Sequence, residues 1–132
     1  MEKKYSRRFA NKMLLTILKS KIHRAKITEA KLYYPGSITI DGRLMQAAGI
    51  VEGEKVEVLN LSTGQRIETY AISGRAGSGV ICLNGPAARS GYVGDEVIIL
   101  SYCLVDEELA RGLKPKIVFV DEKNRLKKES AS

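Results

Sequence analysis

The chain has no tryptophan, only two phenylalanines, one histidine and two cysteines. Each shortage removes a class of chemistry. Without tryptophan, and with no interleaving of aromatic and basic residues, there is no stacking platform for single-stranded nucleic acid. One histidine and the widely separated Cys82 and Cys103 make no metal-ligand cluster, so no metal is expected. Both cysteines lie in apolar runs, residues 80–83 and 102–105, and read as buried free thiols. No apolar run approaches the length of a membrane span, and the N-terminus lacks the apolar core of a secretory signal. No P-loop or dinucleotide glycine fingerprint is present, and the glycines of residues 74–79 are followed by no lysine-serine helix start. These absences lead to the expectation of a soluble, cytoplasmic chain.

What is there fits one domain. The 132 residues are 44% hydrophobic and 28% charged, enough to bury a core. Net charge is +7, and more than half of it sits in residues 1–12, where Lys3, Lys4, Arg7, Arg8 and Lys12 face only Glu2. A short basic end of this kind is usually a solvated extension rather than a binding arm. We therefore divide the chain into a basic, flexible extension (1–12), a single barrel domain (13–120) and a polar, frayed tail (121–132). Within the domain, residues 14–28 predict a strand bent near Ser20, with Lys21, His23 and Ala25 on one face. A short strand follows over 37–40, then a helix over 43–48, capped by Asp41 and closed by Gly49. A hairpin is predicted from 55–61 and 65–73 around a turn at 62–64. Further strands are expected over 80–83, 96–104 and 116–120, with a loop or single turn over 84–91 and a short helix over 106–111. Many short strands and few helices indicate a small β-barrel or sandwich.

The chemistry centres on Tyr33-Tyr34-Pro35-Gly36-Ser37, with Lys21-Ile22-His23-Arg24 upstream. Read alone, Tyr-Pro-Gly-Ser is an ordinary turn, Lys21 a solvated lysine and Tyr70 a core aromatic. A serine hydroxyl, however, lies close to the preceding carbonyl carbon. In a strained turn with an oxyanion donor at hand it can attack its own backbone. The amide becomes an ester, and elimination leaves a shorter chain capped by a pyruvoyl ketone.

The spacing of Lys21-Ile22-His23-Arg24-Ala25-Lys26-Ile27-Thr28 and Tyr34-Pro35-Gly36-Ser37 resembles the pyruvoyl-dependent aspartate 1-decarboxylases. Ala47-Ala48-Gly49-Ile50, Arg66 with Thr69-Tyr70-Ala71-Ile72, and Asn84-Gly85-Pro86-Ala87-Ala88 followed by Val93-Gly94-Asp95 agree in order and spacing. The resemblance implies a mainly β fold, a small double-psi β-barrel with a few short helices, assembled as a homotetramer. It implies cleavage between Gly36 and Ser37, with or without a maturation factor, and conversion of Ser37 to a pyruvoyl group. That group would form a Schiff base with L-aspartate, with no metal and no pyridoxal phosphate, and give β-alanine for pantothenate and coenzyme A synthesis. By the same resemblance Thr69 holds the oxyanion during maturation, with Asn84 beside Ser37 in support, and Tyr70 is the proton donor. Lys21 and Arg66 would hold the substrate, mainly by its retained carboxylate. Gly85, Pro86 and Ala87 would offer backbone groups, and His23 and Tyr34 would line the pocket. Strict strand alternation puts Arg66, Glu68 and Tyr70 on one face and Thr69 on the other, so Thr69 needs a bulge, its backbone or barrel closure to take part. Two other readings compete: a non-processing barrel that binds an acidic ligand, and a basic barrel that binds nucleic acid.

Overall fold

The computed structural model describes residues 13–128. The basic extension, 1–12, and the last four residues of the tail lie outside them. Strand β1 (Leu14–Lys26) pairs antiparallel with β7 (Glu96–Asp106) and parallel with β8 (Lys116–Val120). Its register slips twice, between Leu18 and Ser20 and between Ile22 and Ala25. The first slip is the bend expected near Ser20. The second is a bulge at Arg24, whose φ is 65°. It overturns the predicted faces: Ala25 turns into the core with Ile22, both fully buried, instead of sharing a side with Lys21 and His23.

A three-residue strand, β2 (Glu29–Lys31), runs parallel to β6 (Ile81–Asn84). The sequence gives no sign of it, because all three residues are exposed and carry no alternation. Strand β3 (Ser37–Asp41) leads into helix α1 (Gly42–Ala48). Asp41 caps that helix as predicted, accepting from the Arg43 N–H at 2.8 Å, and Gly49 ends it at a left-handed φ of 71°. The same buried carboxylate also accepts from the N–H groups of Gly77 and Gly79, so it anchors the glycine loop as well. Strands β4 (Lys55–Asn60) and β5 (Arg66–Gly74) form the hairpin. The stretch after β6 is a 3-10 helix, Gly85–Ser90, and α2 (Glu107–Gly112) is capped by Asp106.

The strand order is β2-β6-β3-β5-β4-β7-β1-β8 and then β9 (Leu126–Lys127). Its two ends meet. Thr28, between β1 and β2, exchanges hydrogen bonds with the backbone of Ile81 at the start of β6. On the other side Asn124, in the turn between β8 and β9, accepts from the Lys26 N–H at 2.7 Å. It also donates to the carbonyls of Lys26 and Gly79, both at 2.8 Å. The core inside is aliphatic, built on Ile22, Ile38, Ile40, Leu44, Ile81 and Ile99. The mainly β class with a few short helices is the one found.

The tail does not fray over residues 121–128: it turns back as β9 onto β8, with Asn124 only 1% exposed. Asn124 sits at φ 60°, a left-handed angle that asparagine tolerates better than most side chains. Replacing it with alanine removes three hydrogen bonds and strands buried backbone groups. We expect Asn124→Ala to lose about 2–4 kcal/mol in urea unfolding, each stranded group costing about 1–3 kcal/mol.

Candidate active site

Ser37 is the first residue of β3, completely buried, and it sits opposite Asn84 in the antiparallel register of β3 and β6. Its Oγ accepts from Asn84 Nδ2 at 2.9 Å and donates to the Pro35 carbonyl at 3.3 Å. Asn84 Nδ2 also donates to Thr39 Oγ1 at 2.9 Å, and Asn84 Oδ1 accepts from the Cys82 thiol at 3.2 Å. The Asn84 amide is thus fully engaged in a place only 2% exposed.

The backbone around the Gly36–Ser37 bond is packed tightly. Gly85, at φ +65°, would place an added Cβ 2.5 Å from the Tyr34 carbonyl oxygen and 2.8 Å from Gly36 Cα. Only glycine fits there, on grounds of angle and of space. Gly36 itself is not in the left-handed region, and a Cβ there would meet only Pro86 Cδ at 3.3 Å. The glycine that the turn cannot do without is therefore Gly85 rather than Gly36.

Beside this bond lies an open cleft of about 420 Å³ walled by Gly36, Thr69, Tyr70, Pro86 and Ala87, with Ile67, Glu68 and Ser90. Its position follows from strand pairing. From Arg66 to Tyr70, β5 pairs only with β4; pairing with β3 starts at Ala71, opposite Ile38. Counting back along that register puts Ser37 level with Tyr70 and Gly36 level with Thr69. The cleft opens along the unpaired edge of β5, so residues from both faces of the strand reach it. This answers the alternation problem: Thr69 shares the cleft with Tyr70 without a bulge. Tyr70 is 40% exposed, so it is not a core aromatic.

The expected cations stand elsewhere in the single chain. Arg66 is paired with Glu57 at 2.6 Å, and Glu57 also accepts from the Tyr102 hydroxyl at 3.2 Å. Lys21 and His23, on β1, do not line the cleft. Lys21 has no ion-pair partner among the described residues, and His23 Nδ1 is buried without a hydrogen-bond partner. His23 packs edge-on against Phe119, with ring centroids 5.8 Å apart. Burial, followed by the nearby Lys21 and Arg24 charges, holds its pKa below the ordinary imidazole value. Tyr34 contributes its carbonyl to the packing around Gly85, while its half-exposed ring lies under Lys31, whose Nζ is 5.3 Å from the ring centroid. Sequence reasoning missed Thr39, Glu57 and Cys82. Only Cys82 carried a signal, its two-residue spacing from Asn84 on a strand. Cys82 is buried as predicted, whereas Cys103 is half-buried; both are free. Among the described residues no group of histidine, cysteine and acidic side chains could hold a metal, and no helix is long and apolar enough to cross a membrane.

A model of the aspartate decarboxylase family matches residues 13–127. The chain is similar to the aspartate 1-decarboxylase of Caldicellulosiruptor saccharolyticus, 60% identical over 118 residues, 89% of this chain and 92% of that one. It is 58% identical over 114 residues to that of Acetivibrio thermocellus, covering 86% and 90% of the two chains. It is also 58% identical over 116 residues to that of Campylobacter jejuni, covering 88% and 91%. Among solved structures it is similar to the rationally designed mkDPBB_sym_86 protein, at 20% identity and a TM-score of 0.44, over 58% of this chain and 90% of that one. On sequence and extent of match, the chain is an enzyme belonging to the aspartate decarboxylase family.

Proposed function

We propose that this enzyme converts L-aspartate to β-alanine and carbon dioxide with a pyruvoyl group that it makes from its own Ser37. The observation that carries the reading is the Asn84 Nδ2 donor, 2.9 Å from a completely buried Ser37 hydroxyl, beside a cleft walled by Gly36. In maturation, Ser37 Oγ attacks the Gly36 carbonyl carbon. The C–N bond breaks, the hydroxyl proton passes to the released Ser37 amine, and an ester joins Gly36 to Ser37 Oγ. Loss of the Ser37 Cα proton then expels Gly36 as a carboxylate. Water replaces the nitrogen at residue 37 as ammonia, leaving the ketone.

The residues present fit that chemistry. Asn84 donates to Oγ and holds the nucleophile in place, while negative charge develops on the Gly36 carbonyl oxygen, where a well-placed donor is worth about 3–4 kcal/mol. Thr69, which shares the cleft with Gly36, is the donor we assign to that oxygen. Gly85 presses the backbone against Gly36 and fixes the approach. Once formed, the pyruvoyl group supplies an electron sink for the charge left when carbon dioxide departs. Tyr70 then returns a proton to the substrate Cα, and Gly85, Pro86 and Ala87 offer it backbone groups. Pro86 has no N–H, so it takes part through its carbonyl.

An acidic substrate needs cations, and among the described residues Lys21 has no ion-pair partner and His23 Nδ1 no hydrogen-bond partner, both outside the cleft. We place them, with Arg66, at a site completed by a second copy in a homotetramer of processed two-chain protomers. There Arg66 and Lys21 hold the retained carboxylate, because pairing the departing one would stabilise it as an anion. In this reading the enzyme works in the cytoplasm and feeds pantothenate and coenzyme A synthesis.

Denaturing intact-mass spectrometry, fresh and after warm incubation, tests the proposal together with an aspartate assay. Two fragments parting after Gly36, the larger pyruvoyl-capped, and β-alanine formation are the expected results. One uncut chain, with and without cell extract, supports the non-processing alternative instead. A further expectation separates the two stages. Tyr70→Phe is cut normally, yet its kcat falls by about 10²–10⁴, the usual worth of a positioned acid.

A further inference from the structure

Cys82 has no part in the reading above, yet it touches the group that touches Ser37. It stands two residues before Asn84 on β6, so the two side chains share one face of the strand. Around the Asn84 amide lie three partners: Ser37 Oγ, Thr39 Oγ1 and Cys82 Sγ. A hydroxyl can donate or accept, so Ser37 and Thr39 would satisfy the amide either way round. A thiol is a weak donor and a weaker acceptor of N–H. Cys82 distinguishes the ends of the amide whichever way the two hydroxyls turn.

Resting on the self-processing reading, we propose that Cys82 is a positioning residue for cleavage at Gly36–Ser37: its S–H holds Asn84 Oδ1 and thereby turns Nδ2 toward the Ser37 hydroxyl. With the amide reversed, Oδ1 would face Ser37 Oγ. It would draw the hydroxyl hydrogen away from the Pro35 carbonyl and leave Oγ without the N–H that sets the direction of its lone pairs. Asn84 is only 2% exposed, so bulk water cannot restore the balance. Burial, with Glu29 adding to it, pushes the Cys82 pKa up, so the thiol keeps the proton it donates. The other polar atom near the sulfur, the Leu83 carbonyl oxygen, is 3.9 Å away and competes poorly.

The test follows the cleavage rate of freshly made full-length chains by intact mass, beside their melting curves. Wild type is compared with Cys82→Ser, which keeps a donor, and with Cys82→Val and Cys82→Ala, which do not. Cys82→Ser is expected to cut within about threefold of wild type, while the valine and alanine chains fold but cut at least about tenfold more slowly, the effect of one lost hydrogen bond of about 1.4 kcal/mol. Hydroxylamine intercepts the ester, giving a Gly36 hydroxamate and a chain starting at Ser37. The same slowing in this trapping assay places the defect in the attack step. Cleavage of the valine or alanine chain at the wild-type rate overturns the proposal. So does failure of both to fold while Cys82→Ser folds and cuts, since the thiol then serves the fold alone. An uncut wild-type chain removes the underlying reading, and this inference with it.

Discussion

Replacing Ser37 with alanine is expected to leave one uncut chain and no measurable β-alanine. The change removes a single oxygen atom. Asn84 Nδ2 keeps its second acceptor, Thr39 Oγ1, and the lost bond to the Pro35 carbonyl is long. The stability cost should therefore be modest, about 1 kcal/mol, and the melting curve should stay close to that of the wild-type precursor. The chemical cost is total, because no other hydroxyl adjoins the Gly36 carbonyl along the chain and no ketone can form. Decarboxylation should fall by more than about 10⁴-fold, since the whole electron sink is gone rather than one contact to it. Intact mass, circular dichroism and an aspartate assay on the same sample make the comparison. A Ser37→Ala chain that still decarboxylates aspartate would end the pyruvoyl reading.

Gly85→Ala should come close to it in effect, for a different reason. An added Cβ meets the Tyr34 carbonyl oxygen at 2.5 Å and Gly36 Cα and N at 2.8 and 2.9 Å, all backbone atoms with no free end to swing aside. The left-handed φ adds its own penalty for a non-glycine residue. Strain of this kind and overpacking each cost of order 1–3 kcal/mol. Relief must come from moving Gly36 away, which spoils the attack geometry. A misplacement near 1 Å can cost about 10²-fold in rate. We expect Gly85→Ala to melt earlier and to cut at least about 100-fold more slowly. Gly36→Ala, by contrast, should lose under about 1 kcal/mol of folding stability, because it meets only the Pro86 ring edge and keeps an ordinary φ. Equal destabilisation by the two substitutions would show that the packing around the bond is looser than described.

The elements that were legible in the sequence are those whose signals are local. Asp41 and Gly49 bracket α1 because capping depends on a few neighbouring residues. The hairpin of β4 and β5 announces itself by alternation around a glycine turn. Strand β2 could not be read, since its three exposed residues take their conformation from β6 rather than from their own pattern. The bulge at Arg24 was equally silent, and it moves Ala25 from the face of Lys21 and His23 to the core. Asn124 lies in a stretch that looks like any polar tail; its worth comes from Lys26 and Gly79, both distant in sequence.

The site divides in the same way. The family resemblance grouped Gly36, Ser37, Thr69, Tyr70 and Asn84, and pairing among β3, β5 and β6 brings them to one part of the fold. Spacing carries no information about which wall a cation faces, so it could not reveal that Lys21 and His23 do not line the cleft of their own chain, or that Arg66 is held by Glu57. For the Cys82 thiol, in its apolar run, the two-residue spacing from Asn84 is the one hint that it touches the amide.

The central place of β1 has a consequence for the life history of the protein. Cutting after Gly36 would sever β1 and β2 from everything that follows, yet β1 lies between β7 and β8, bonded on both edges. The fragment could not leave without opening the barrel, so a cut enzyme would stay assembled as a non-covalent pair. Unfolding is another matter. Once the barrel opens, the two pieces drift apart, and reassembly becomes a bimolecular search with the joining peptide already consumed. The protein would fold once, as a single chain, and its working lifetime would be set by how rarely the barrel opens, not by an equilibrium it can revisit.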